Sequence, residues 1–142
     1  MRDSNAEKRR SDAENRGEDP LLHRDLTEAI IGAFHAVHSK LGIGFLERVY
    51  ANALAVMLRK AGFHAAREVP FEVFFEGVSV GFYRADIVVE STIVVETKVA
   101  RMIVDEHKLQ LLNNLKASKL EVGLVLNFAR KPEFRRVVAS HK

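Results

Sequence analysis

Glu96-Thr97-Lys98 closes an apolar run, Ile93-Val94-Val95, and Asp86 stands ten residues before Glu96, next to a second run that includes Val88-Val89. Side chains alternate along a strand, so a strand over 93–98 sends Glu96 and Lys98 out of one face. The polar triplet Glu90-Ser91-Thr92 between the runs is short enough to reverse the chain. A three-residue hairpin loop centred on Ser91 sets Asp86 opposite Glu96, and two carboxylates and one ammonium converge. Carboxylates hold a hard divalent cation, while a lysine orients or activates water and offsets phosphate charge. The chemistry suggested is hydrolysis of a phosphodiester. The competing reading is an ion pair at a strand end, which contributes little to stability. Runs apolar on both faces argue for a sheet covered on both sides, where a charged pair must find a partner, a metal or water. On spacing alone the two readings stand level.

The elements that must position these groups follow from periodicity. Leu26, Ile30, Ile31, Phe34, Val37 and Leu41 recur at helical spacing after Asp25, a candidate N-cap, and Gly42 and Gly44 break the run. Leu46, Val49, Ala53, Leu54, Met57 and Leu58 form a second amphipathic run that stops at Gly62. Strand patterns follow over 69–75, with Pro70 marking an edge, over 78–89 with a bend at Gly81, and over 92–99; Glu76-Gly77 is a turn. A helix is expected over 104–117, with Leu109, Leu112 and Leu115 on one side, then an apolar strand over 120–128. Arg135 to Val138 fits a short edge strand or a helical turn. The expected fold is α/β (α+β): a mixed sheet flanked by helices, in the order ααβββαβ. The first three strands are antiparallel neighbours, and the crossover helix makes the fourth parallel to the third.

The bulk numbers fit one domain. Hydrophobic residues make up 47% of the 142 and charged residues 29%, an ordinary globular balance. The absence of cysteine rules out disulfides and thiolate metal sites. No stretch suggests a membrane span or a signal core, so a cytoplasmic protein with no membrane partner is expected. Residues 1–20 carry five basic against six acidic side chains and almost no large apolar ones, and read as a disordered tail before a single domain over 21–142. The body therefore carries the net positive charge, which allows a nucleic-acid partner without requiring one.

Several spaced motifs resemble the PD-(D/E)xK nuclease fold, and within it the small bacterial GxxExxY family. They are Gly44-Phe45-Leu46-Glu47-Arg48-Val49-Tyr50, the lead-in Val37-His38-Ser39-Lys40-Leu41-Gly42, Arg84-Ala85-Asp86, Val95-Glu96-Thr97-Lys98 and His107-Lys108-Leu109-Gln110-Leu111-Leu112. The resemblance covers roughly residues 26–138. It implies a Mg²⁺- or Mn²⁺-dependent nuclease acting on nucleic acid, with DNA favoured over RNA, and it allows a homodimer or higher oligomer. Asp86, Glu96 and Glu47 would be metal ligands, Lys98 would position the attacking water, and Gln110 resembles a glutamine found after the catalytic strand in part of the superfamily. Asn114 departs from the tyrosine common in related sequences, so no stacking or hydroxyl role is expected there. The alternative is a non-catalytic module that keeps the fold and binds nucleic acid or a partner.

Other residues carry weaker signals. Glu47 and Tyr50, three apart, share a helical face, so Tyr50 could support Glu47 by a hydrogen bond; the ordinary alternative is a helix-start carboxylate beside the macrodipole. His107, Gln110 and Asn114 form a polar stripe that faces either the site or solvent. Arg84 could touch a phosphate or pair with Glu47 or Glu96. His38 is expected to bond a loop carbonyl near 42–44, and no metal is assigned to it or to His35. Phe71, Phe74, Phe75 and Phe82 could stack on bases, although packing in the core or between subunits is their more ordinary role.

Overall fold

The computed structural model describes residues 23–141; the tail expected over 1–20 lies outside them. Two helices, α1 (Arg24–Leu41) and α2 (Glu47–Lys60), lead into strands β1 (Ala65–Phe75), β2 (Val78–Val89) and β3 (Ile93–Lys98). Helix α3 (Asp105–Ser118) crosses to β4 (Val122–Asn127), and β5 (Glu133–Val138) follows. The sheet runs β1-β2-β3-β4-β5, with β3 and β4 parallel and every other pair antiparallel. This is the expected mixed sheet, and the ambiguous segment at 135–138 resolves as an edge strand.

The two faces bury different sets. Ile30, Phe34 and Val37 from α1, with Leu54 and Leu58 from α2, pack on Ile87, Val89, Ile93, Val95, Leu124 and Leu126. Across the sheet, Leu111 and Leu115 of α3 pack with Val88, Val94 and Val125. Each such side chain contributes roughly 1.5–3 kcal/mol by leaving water. Because β3 and β4 are covered on both sides, their apolar residues run continuously instead of alternating.

Some details differ from expectation. The first helix begins at Arg24, so Asp25 lies inside its first turn and not at the N-cap, which is His23. Strand β1 starts at Ala65, earlier than residue 69, and contains Pro70; as the sheet edge, β1 does not need that missing N–H. Leu109 is exposed, and Leu111 takes its place in the core with Leu115. Phe71 packs against the second cluster, but Phe74, Phe75 and Phe82 are exposed, because the β1–β2 hairpin extends past the point where β3 pairs with β2. Among the described residues no helix is long and apolar enough to cross a membrane.

Gly123 of β4 fixes how closely α3 approaches. A Cβ there would stand 2.6 Å from Leu111 Cδ1 and 2.9 Å from its Cγ, and Leu111 is fully buried. Gly123→Ala is therefore expected to cost about 1–3 kcal/mol by overpacking, read as a lower urea midpoint. In a Leu111→Ala background the same change should cost much less.

Candidate active site

The turn between β2 and β3 sets the site. Glu90 and Ser91 both adopt φ near +50°, and Thr92 N–H bonds to the Val89 carbonyl at 2.9 Å. Two left-handed central residues make the tight primed turn whose twist suits a hairpin. It fixes the register Val89↔Ile93, Val88↔Val94, Ile87↔Val95. Continuing that register sets Asp86 opposite Glu96.

There the ladder gives way to side chains. Asp86 Oδ2 accepts the Thr97 N–H at 2.8 Å and the Thr97 hydroxyl at 3.0 Å. Glu96, only 2% exposed, accepts the Asn114 amide of α3 at 2.8 Å through Oε1. Lys98 Nζ donates to Gln110 Oε1, one helical turn before Asn114, at 2.8 Å. Each carboxylate is thus anchored through one oxygen. On the other side of β2, Glu68 has φ +51° and would pair with Asp86, but the ladder skips that pair. Inward residues change face at this kink: Ile87 belongs to the first core, Ala85 to the second. Arg67 braces the kink, donating to the Asp86 carbonyl and, through Nε, to Asn52 of α2 at 2.8 Å.

The electrostatics follow from burial and crowding. Burial pushes the Glu96 carboxyl up to about 9, and the neighbouring Asp86 adds to the rise by charge and hydrogen bonding, while Lys98 opposes it. Glu47, the first residue of α2, is also raised, mainly by burial; Lys98 lowers it and Asp86 raises it. Glu47 therefore shares an electrostatic environment with Asp86 and Lys98. Among the described residues no three His, Asp or Glu side chains already stand together as a finished cation cage. What the structure assembles is a crowded all-oxygen pair, with a third carboxyl nearby. That donor set fits a hard divalent cation, whose charge would remove the reason Glu96 holds its proton.

The remaining candidates have other partners. The Tyr50 hydroxyl does not support Glu47: it donates to the Gly42 carbonyl at 2.6 Å and accepts the Phe45 N–H at 3.3 Å, and its ring stacks on Phe128 at 4.4 Å. Its role is to tie the α1–α2 loop to the end of β4. His107 Nδ1 accepts the Val104 N–H at 3.1 Å, a helix-capping bond at the start of α3. Arg84 stands over the Phe82 ring, 6.0 Å from its centroid, and not against Glu47 or Glu96, because the kink turns it away from the site. His38 bonds the Ala129 carbonyl at 2.8 Å, not a carbonyl of 42–44. Three residues that hold the site drew no positional role from the sequence: Thr97, Arg67 and Asn114. Asn114 was visible within the polar stripe, and its amide reaches Glu96.

The PD-(D/E)XK nuclease superfamily pattern matches residues 24–137. The chain belongs to this superfamily. The crystal structure of SSO0001 is similar at TM-score 0.55 and 22% identity, over 84% of this chain and 61% of that one. This chain thus spans less than two thirds of that protein, and the likeness is one of fold. The 1.6 Å structure of Archaeoglobus fulgidus Hjc, a Holliday junction resolvase from an archaeal hyperthermophile, gives TM-score 0.40 and 24% identity over 63% of this chain and 73% of that one. No match was found among curated proteins.

For this PD-(D/E)XK chain the raised Glu96 pKa has a consequence for stability. The folded state keeps the Glu96 proton up to about pH 9, whereas an unfolded glutamate releases it near 4.5. Between those limits the folded state binds more protons, so stability falls as pH rises. In chelator, the urea midpoint is expected to decline from about pH 5 to about pH 9, and Glu96→Gln should remove most of that slope. A wild-type midpoint that stays level would contradict this.

Proposed function

We propose that the chain is a divalent-metal-dependent nuclease of the GxxExxY branch, hydrolysing phosphodiester bonds of nucleic acid. The observation that carries the reading is the Asp86–Glu96 pair set by strand register, with Lys98 held beside it by Gln110. Asp86 and Glu96 would hold Mg²⁺ or Mn²⁺, and Glu47 at the start of α2 would add a carboxyl. When bound, the cation supplies charge neutralisation and Lewis-acid polarisation of the phosphate.

The chain's own residues do the rest. Thr97 keeps one Asp86 oxygen occupied and so aims the other. Asn114 does the same for Glu96. Gln110 keeps the flexible Lys98 stem in one conformation, so the ammonium orients the attacking water and offsets charge building on the phosphate oxygens. The water oxygen forms the new P–O bond and gives its proton to solvent, while the P–O bond to the ester oxygen breaks and that oxygen takes a proton from solvent to leave as a hydroxyl.

Incubation with labelled DNA and RNA in Mg²⁺ or Mn²⁺ should give cleavage that chelator abolishes. Asp86→Asn and Lys98→Ala should each lower the rate by about a hundredfold or more. Calorimetric Mn²⁺ binding should be lost in Glu96→Gln. Cleavage by Asp86→Asn at the wild-type rate would remove this site from the reaction.

A further inference from the structure

Three loops meet at the end of the parallel strand pair where Lys98 emerges. Residues 42–46 precede Glu47, residues 99–104 follow Lys98, and residues 128–132 follow β4. Their proximity is fixed by two sets of contacts: Phe128 N–H to the Lys98 carbonyl at 2.8 Å, and Tyr50 to Gly42, Phe45 and Phe128. The middle loop is pinned at both ends. Ala100 exchanges two 2.9 Å bonds with the Asn127 amide, and Ile103 N–H bonds to Glu133 Oε1 at 2.7 Å. Arg101 and Met102 form the tip between those pins.

The exposed content of these loops is of two kinds. Phe45, Leu46 and Met102 are large apolar side chains, exposed by 47%, 67% and 59%. Arg101, Arg130 and Lys131 are exposed and pair with no carboxylate among the described residues. The three loops contain no acidic residue; of the acids that directly follow them, Asp105 is paired with Lys108, and Glu133 with Arg135 and the Ile103 N–H, leaving Glu47 at the site. A basic rim attracts a polyanion. The apolar side chains narrow which one. The outside of an intact duplex offers phosphate and sugar, whereas unpaired bases offer faces on which apolar side chains pack. By contrast, the exposed β1–β2 hairpin carries Glu72 and Glu76 against Arg84 alone and lacks that charge complementarity.

We infer that the substrate presents unpaired, unstacked bases beside the cleaved phosphate: a single strand, flap or frayed end, gripped by the basic rim and packed against Phe45, Leu46 and Met102. This rests on the nuclease reading for its placement but is tested by binding alone. Fluorescence anisotropy of the full chain in chelator would compare a single-stranded oligonucleotide, a blunt duplex of the same length, and that duplex with a single-stranded flap. The single strand and the flap should bind about tenfold or more tighter than the blunt duplex. Leu46→Ala with Met102→Ala should remove most of that preference and leave duplex affinity unchanged. These two carry the test because Phe45 also contacts the Tyr50 ring at 6.1 Å, so Phe45→Ala risks the loop itself; thermal melting would verify folding. Equal affinity for the three ligands, or a preference unmoved by the double variant, overturns the inference. Cleavage assays in Mn²⁺ separate the two readings. A preference for unpaired bases without cleavage sinks the nuclease and keeps this inference; cleavage of blunt duplex and single strand at equal rates does the reverse.

Discussion

Asp86 and Glu96 lie opposite one another on neighbouring strands, and burial first, then the presence of Asp86, raises the cost of charging Glu96. Two like charges in a dry place are destabilising unless something compensates. The structure responds with neutral polar bonds: Thr97 on Asp86, Asn114 on Glu96, Gln110 on Lys98. None of these supplies the missing positive charge. They fix orientation, and the electrostatic cost is met by Glu96, which burial and Asp86 keep in its protonated form. The apolar packing on both faces of the sheet supplies the stability that tolerates it.

One backbone irregularity falls at the same place. Glu68 is left-handed, the β1–β2 ladder skips its pair with Asp86, and the inward-facing set changes sides. A non-glycine residue in that conformation is strained and persists only where its surroundings hold it. Arg67 does so, joining the Asp86 carbonyl to Asn52 on α2. Without the kink, β2 would continue as a regular partner of β3 and the Asp86 side chain would not take over as the acceptor for Thr97. Aiming the carboxylate and distorting the strand are one event.

How much of this the sequence reveals depends on whether local rules decide it. The Asp86–Glu96 register was readable, because a polar triplet between two apolar runs admits few loop lengths and each length fixes the partners. The sheet order was readable for similar reasons. The phase of α3 was not: Leu109, Leu111, Leu112 and Leu115 offer several apolar stripes, and packing against Gly123 and Val94, distant in sequence, selects Leu111. The partner of Tyr50 was misread because its three-residue spacing to Glu47 suggests contact, whereas an open loop carbonyl at Gly42 competes for the hydroxyl. The kink at Glu68 had no local signal, since glycine, the usual marker of a left-handed residue, is absent there. Arg67 and Thr97 stayed hidden because any arginine or threonine on a strand has an unremarkable surface role.

The end of β3 shows how the sheet passes from core to site. Parallel pairing with β4 runs to Lys98↔Asn127. One step further, the Asn127 side chain takes both the N–H and the carbonyl of Ala100, so a buried amide stands in for a strand partner. This satisfies the backbone where regular pairing ends and lets the chain turn away at once. A continued strand would carry Arg101 and Met102 along the sheet, and a loose loop would let Met102 fold back onto apolar surface. Pinned at Ala100 and Ile103, the tip has neither option, and its apolar side chain remains in water at the rim of the site. The same holds for Leu46, fixed between the Tyr50-bound loop and the first turn of α2. Side chains kept exposed by bonds of this kind are held in place for contact instead of being free to fold back onto the protein.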